Sequence, residues 1–199
     1  MRKTLLLLAA GAMCVAALGS GTLAYFTLRG QSHNVITTGA VQIRLREWQD
    51  TENGLVPYPQ EAVRVMPGMQ ICKIATVENA GVKAYIRAKT ETVITDREGN
   101  VLDLPREELE QLLSLEGARE DWLQKPGEEW WYYAYALETG AATAPLFTQV
   151  TFHGSAMTEA YENCTVEIRV LAQGVQTANN GSSVMEAAGW PEGQEGEEP

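Results

Sequence analysis

The sequence predicts an all-β fold, a β-sandwich of jelly-roll type with one short inserted helix. Most of the chain falls into short segments rich in β-branched and aromatic residues, and turn sequences separate them. Only one segment has the periodicity of a helix. With 45% hydrophobic and 21% charged residues over 199 positions, the composition suits a single core-forming domain with extended ends.

The first residues have the composition of an export signal. Arg2 and Lys3 precede an uncharged apolar run from Leu5 to Leu18. This run is shorter than a membrane-spanning helix, which needs about 20 residues. Small residues follow this run. We therefore predict a cleaved signal peptide at 1–24, with an uncleaved N-terminal anchor as the alternative. The predicted cleavage region is Thr22, Ala24 and Tyr25.

The predicted domain covers 25–188, and its strands are recognised by alternating apolar and polar residues. In the last strand, Val166, Ile168, Val170 and Ala172 share one face with Cys164. The predicted strands are Val41 to Arg46, Ile71 to Val77, Ala84 to Ile94, Trp130 to Leu137, Leu146 to Phe152 and Thr165 to Ala172.

The helix is predicted from Pro105 to Leu115, with Asp103 as its cap and Gly117 just beyond its end. Its acidic residues are expected to form a solvated face that suits the helix dipole. Strand alternation places Trp130 and Tyr132 on the opposite face from Trp131, Tyr133 and Tyr135. One face is expected in the core, and the other under the helix or at a protein interface.

Two cysteines remain once the signal, which contains Cys14, is removed. In an exported chain, Cys72 and Cys164 can form one disulfide between core strands, or they can remain two buried free thiols. Both alternatives stay open at the level of sequence. A metal site would need three or four ligands at short spacing, which this pair does not supply.

The charge and the motifs exclude several classes of function. The formal net charge of -11 and a pI of about 4.7 disfavour nucleic acid as a partner. The two histidines, His33 and His153, cannot form a His-Glu-x-x-His zinc motif. The chain also lacks a Gly-x-Ser-x-Gly nucleophile motif, a phosphate loop and a dinucleotide fingerprint. We therefore predict a non-enzyme with no catalytic, metal or cofactor residues.

The C-terminal residues 189–199 are rich in Gly, Pro and Glu and are predicted to form an acidic disordered tail. This tail has no second apolar stretch and no Leu-Pro-x-Thr-Gly sorting signal. No stable membrane anchor is therefore expected after cleavage of the signal peptide.

Several sequence segments together resemble the TasA and camelysin family, whose export depends on a SipW-type signal peptidase. The most specific segment is Gly21–Phe26, which reads Gly-Thr-Leu-Ala-Tyr-Phe and leads into Asn34–Val41. The similarity covers most of the chain. Its other segments are Met66–Gly68, Val77–Gly81, Ala84–Arg87, Leu137–Gly140, Pro145–Phe147 and Gly174–Gln176.

The resemblance implies a secreted Gram-positive protein of the biofilm matrix or cell surface. Its best-known members are jelly-roll subunits that form fibres with copies of themselves and with other matrix proteins, each donating an N-terminal strand. Camelysin-like members are described as metallopeptidases, and a soluble β-sandwich adhesin is a further alternative. From Phe26 to Thr38 the chain is polar and lacks a strong periodic face, so we expect it either to be ordered by a sheet edge of a neighbouring molecule or to be a disordered leader on a monomer. The candidate donor residues are Phe26, Val35 and Ile36.

Overall fold

The computed structural model describes residues 26–30, 34–37, 40–59 and 61–191. These residues form an all-β sandwich of two sheets, as the sequence predicts, with one helix and one short 3-10 turn. The twelve strands are β1 (Phe26–Gly30), β2 (Asn34–Thr37), β3 (Ile43–Thr51), β4 (Gly54–Pro57), β5 (Val63–Val65), β6 (Gln70–Asn79), β7 (Ala84–Thr95), β8 (Leu113–Glu116), β9 (Trp122–Gln124), β10 (Trp131–Tyr133), β11 (Phe147–Phe152) and β12 (Thr165–Gln176). Helix α1 (Arg106–Leu112) lies between β7 and β8, and the 3-10 turn covers Glu159–Tyr161.

The larger sheet has the strand order β5-β1-β12-β7-β10-β9, and β2 also pairs with β12. Its centre is the long antiparallel pair β7 and β12, which runs in register from Thr165 opposite Thr95 to Gln176 opposite Ala84. On its other side β12 carries two short strands in succession. Both β1 and β2 run parallel to it.

The smaller sheet has the order β4-β3-β6-β11-β8, with every described pair antiparallel. The core lies between the two sheets. On β6 the inward residues alternate with half-buried ones, and on β12 Val166, Ile168, Val170 and Ala172 all face the core. The prediction for that face, including the buried position of Cys164, is confirmed.

The helix is shorter than predicted. It begins at Arg106 and ends at Leu112, and Pro105 rather than Asp103 is the capping residue. Leu113 and Leu115 leave the helix because their segment pairs with β11 as strand β8. Tertiary pairing therefore overrides the helical pattern at this end.

The predicted strand from Trp130 to Leu137 is also shortened, to the three residues of β10. Within the described residues, no helix is both long and apolar enough to cross a membrane. The jelly-roll wiring stays a prediction, since the described pairs establish a two-sheet β-sandwich.

Candidate assembly site

The first described strand, β1, is an interior strand of the larger sheet. It pairs in parallel with β12, where Leu28 lies opposite Val166, and antiparallel with β5, where Leu28 lies opposite Val63. The main-chain amide of Thr27 also donates a hydrogen bond to the carbonyl of Cys164 at 2.8 Å. Without β1, the edges of both β5 and the first half of β12 would lack these partners.

The side chains of β1 alternate as the main chain requires. Phe26 and Leu28 point into the core and are 1% and 0% exposed, whereas Arg29 is exposed. The ring of Phe26 lies 5.8 Å from that of Tyr161 and 6.2 Å from that of Phe152, measured between centroids. The slot between β5 and β12 is therefore an apolar groove that the N-terminal strand fills.

Tyr161 connects this slot to the helix. Its hydroxyl donates to the carboxylate of Glu108, and this hydrogen bond, with burial, raises the pKa of Tyr161 to about 12. Glu108 belongs to the acidic face that was expected to be merely solvated. At least one acid of that face therefore has a specific partner beneath the N-terminal strand.

The second N-terminal strand, β2, continues along β12, with Val35 opposite Ala172 and Thr37 opposite Gly174. The side chain of Val35 is half buried and packs against the main core. The main chain of Ile36 belongs to the same strand, opposite Gln173. All three candidate donor residues thus lie in strands on β12 of their own chain. Thr22, Ala24 and Tyr25 lie outside the described residues.

Residues 177–191, which we call the C-terminal strap, cover the part of the outer face of the larger sheet around Tyr85, Tyr132 and Val175. Val184, Ala187 and Trp190 of the strap form a second apolar cluster with Tyr132 and other residues of the sheet. The predicted division of the aromatic block into two faces is confirmed, because Trp131 and Tyr133 contact the main core. The expectation that the helix covers the second face is wrong, since the strap covers it instead.

Arg87 is at the centre of this covered face. Its guanidinium lies 4.3 Å from the ring centroid of Trp130 and 4.8 Å from that of Trp190. Its Nε donates to the buried Gln173 at 2.9 Å, and its Nη1 donates to the Tyr132 hydroxyl at 3.3 Å. Burial is the main reason that the pKa of Tyr132 is raised. Trp190 was assigned to a disordered tail that began at Gly189, and these contacts place it in the folded domain.

Asn180 fastens the strap to itself and to β12. Its side-chain amide donates to the carbonyls of Gln176 and Ala188 at 3.1 and 3.0 Å, and its oxygen accepts from the Ala188 amide at 2.8 Å. All three hydrogen bonds are made by the side-chain amide of Asn180. The strap is therefore held by specific side chains, in contrast to β1, which adds main-chain partners.

The two mature cysteines are free thiols in the structure. Cys72 alternates with the inward residues of β6, so it lies on the outer side of the smaller sheet, where its sulfur accepts from the Asp50 amide at 3.2 Å. Cys164 lies in the core, where burial raises the pKa of its thiol. Of the two alternatives left open by the sequence, the structure has the free thiols, with Cys164 buried and Cys72 only half buried, and the smaller sheet separates the two side chains.

In the part of the chain that the structure describes, there is no group of three or more His, Cys, Asp or Glu residues placed to hold a metal ion. Two features were missed by sequence reasoning. The first is the slot, in which β5 forms one side and Leu28 is a buried anchor of the strand that fills it. The second is Trp190, which packs on the outer face of the larger sheet. The alternation of Phe26 and Leu28 with Thr27 and Arg29 was the available signal for β1.

In comparisons with known proteins, the chain matches no family model, no curated protein and no solved structure.

Proposed function

We propose that this protein is a secreted structural subunit of a Gram-positive extracellular matrix, exported through a signal peptidase and assembled by exchange of its N-terminal strand. The observation that carries the proposal is the position of β1, an N-terminal strand that fills an interior slot between β5 and β12. The partners of the protein are further copies of the same chain and other matrix proteins.

Exchange would preserve every contact that β1 makes within one chain. A second copy can offer the same slot, with the same main-chain groups on β5 and β12 and the same apolar pocket for Phe26 and Leu28. Donation from each subunit to the next is heterologous, so it does not close on itself. The product of repeated donation is a filament.

The charge of the chain sets the conditions for assembly. Removal of Arg2 and Lys3 with the signal changes the formal net charge from -11 to -13. Copies of such a chain repel one another, and the repulsion weakens as salt shortens the Debye length to about 10 Å at 0.1 M. We expect assembly to improve with added salt, and with acidification toward carboxylate pKa values of about 4.

A cross-linking experiment tests both the assembly and its mechanism. Thr27 on β1 and Thr165 on β12 are register partners. Neighbouring strands lie about 4.8 Å apart, which falls within the range of about 4.4–6.8 Å between the Cα atoms of disulfide-bonded cysteines. The mature chain is prepared with Thr27→Cys and Thr165→Cys in a background of Cys72→Ser and Cys164→Ala. It is assembled at several salt concentrations, oxidised and separated on a non-reducing denaturing gel.

The matched control places the cysteines on two strands of one body, with Glu91→Cys on β7 and Arg169→Cys on β12, which are also register partners. Strand exchange predicts fibres by electron microscopy and a ladder of covalent oligomers for the Thr27 pair, with monomers alone for the control pair. Fibres that give only monomers in both cases would contradict strand exchange. A chain that remains monomeric under all conditions would contradict the structural role itself.

A further inference from the structure

A polar cluster lies on the core side of the smaller sheet, where apolar residues would be expected. Lys73 occupies an inward position of β6 between Ile71 and Ala75, and its side chain is 0% exposed. The side chain of Glu47 on β3 is 7% exposed, and Tyr58, which follows β4, is 4% exposed. An amine, a carboxyl group and a phenol therefore share a site from which water is largely excluded.

The contacts within this cluster are close but incompletely satisfied. Nζ of Lys73 lies 2.7 Å from Oε1 of Glu47 and 4.5 Å from the ring centroid of Tyr58. The Nζ–Oε1 contact does not have the direction of a hydrogen bond. Among the described residues, four buried side-chain polar atoms have no hydrogen-bond partner, and three belong to this cluster: Glu47 Oε1, Tyr58 Oη and Lys73 Nζ.

Stability alone does not account for such a cluster. A buried ion pair commonly contributes no more than apolar residues of the same volume, because both charges lose their hydration. Buried polar atoms without partners add a further cost, so each of them calls for a specific explanation. A reaction that converts the amine and the carboxyl group into one neutral group would remove the cost of burying both charges.

We propose that Lys73 and Glu47 condense to form an intramolecular isopeptide bond that joins strands β6 and β3. A proton passes from the ammonium to the carboxylate, which gives a neutral amine and a carboxylic acid. The Nζ lone pair attacks Cδ of Glu47, the new N–C bond forms, and the Cδ–O bond to the hydroxyl breaks. One proton of the attacking nitrogen passes to the departing hydroxyl, so that one water molecule leaves, and no oxidant, reductant or cofactor takes part.

The surroundings of Lys73 and Glu47 favour this condensation. Desolvation is the largest effect on Lys73 and lowers its pKa, which makes the neutral amine more accessible. Desolvation, with the nearby charge of Glu47, raises the pKa of Tyr58 to about 12, so its hydroxyl stays protonated at neutral pH. The ring of Tyr58 lies 4.5 Å from Nζ and helps to keep water away from the reacting groups. Fixed proximity supplies the remaining advantage, because both reacting groups are held by paired strands.

The bond requires no rearrangement of the sheet. Glu47 is the register partner of Ala75, and Lys73 lies two residues before Ala75 on the same face of β6. Glu47 and Lys73 are therefore diagonal neighbours on adjacent antiparallel strands, a separation that long side chains span readily. The proposal is independent of fibre assembly, since every atom involved belongs to one chain.

Intact-mass measurement of the folded mature protein tests the proposal directly. The expected mass is one water molecule below the mass of the sequence. Trypsin cleaves after Arg46, Arg64 and Lys83, so the digest should contain residues 47–64 joined to residues 65–83, with no cleavage after Lys73. Fragmentation of this branched peptide locates the bond at Glu47 and Lys73.

Two variants separate the bond from other causes of a lower mass. Lys73→Met with Glu47→Leu replaces both charges by apolar groups that suit the core, and this variant should fold and keep its full sequence mass. Glu47→Gln should lose ammonia instead of water, which gives a product of the same mass as cross-linked wild type.

A folded wild-type protein with its full sequence mass overturns the proposal, and Lys73 and Glu47 are then an ion pair only. A loss of water that persists in the Lys73→Met and Glu47→Leu variant also overturns it, because the loss then arises elsewhere. The same result follows if the tryptic digest releases residues 47–64 as a free linear peptide.

Discussion

Both ends of the described chain reach the larger sheet, and they attach to it in different ways. The N-terminal strands lie in the plane of the sheet, where β1 pairs with β5 and β12. The C-terminal strap lies across the outer face of the same sheet, where Trp190 stacks on Arg87 and Asn180 fixes the strap by three hydrogen bonds.

The two ends differ in whether the same segment of another copy can take their place on the sheet. Main-chain pairing needs a free edge and alternating side chains, so an identical strand from another copy satisfies it equally well. The strap depends on side chains at fixed positions around Arg87, and it is joined to β12 by a short connection. We therefore infer that the N-terminal end is the exchangeable one and that the strap stays with its own domain.

The largest effect is expected at the N-terminal end. Leu28→Ala should lower the free energy of unfolding by about 2–5 kcal/mol, because Leu28 is fully buried in the slot. It should also reduce assembly, since the same side chain anchors the strand in a neighbouring copy. Urea denaturation and sedimentation measure the two effects. Arg29→Ala is the control on the same strand, and as an exposed change it should stay within about 0.5 kcal/mol.

A moderate effect is expected from the strap. Trp190→Ala should lower the free energy of unfolding by about 1–3 kcal/mol through loss of its contacts with Arg87 and Tyr132. Assembly at matched protein concentration should be unchanged. Leu55→Ala serves as a control, because Leu55 is an exposed apolar residue away from this face. If Trp190→Ala abolished fibres, the distinction between the two ends would be wrong.

The smallest effect is expected from pH at the tyrosine beneath β1. The folded-state pKa of Tyr161 is raised to about 12 from the ordinary value of 10, so its contribution is fully present below pH 10 and is lost as pH rises to about 12. Melting temperatures between pH 9 and pH 12 should therefore fall less steeply for Tyr161→Phe than for wild type. Trp190→Ala should leave the slope near that of wild type.

Much of the fold could be predicted because its central strands carry their own pattern. Alternation around Ile71 and Ile168 marks strands that are buried on one face. The covering of the second aromatic face could not be predicted, because Trp190 lies far along the chain in a segment of disordered composition. The helix end was misplaced because Leu113 and Leu115 fit a helical period as well as they fit β8.

The candidate sites were predicted to different degrees. Phe26 and Val35 were identified as strand-forming residues, but their parallel pairing with β12 is a tertiary choice that local sequence does not encode. Lys73 was passed over although it shares the inward period of Ile71, Ala75 and Val77. A lysine at an inward position was the sequence signal for the buried cluster with Glu47.

The turn after β6 limits how far two joined copies could lie apart. Ala80 and Gly81 donate to the carbonyl of Gln42 at 2.7 and 3.0 Å, and a Cβ on Gly81 would lie 2.4 Å from the Gln42 nitrogen and 2.6 Å from the Ala40 oxygen. Ala40 is thereby held to its own domain, and only three peptide units connect it to Thr37. At 3.8 Å per unit, this tether spans about 11 Å at most. A fibre formed by donation of β1 and β2 would therefore have closely abutting subunits. Such a fibre would be stiff, with a long persistence length.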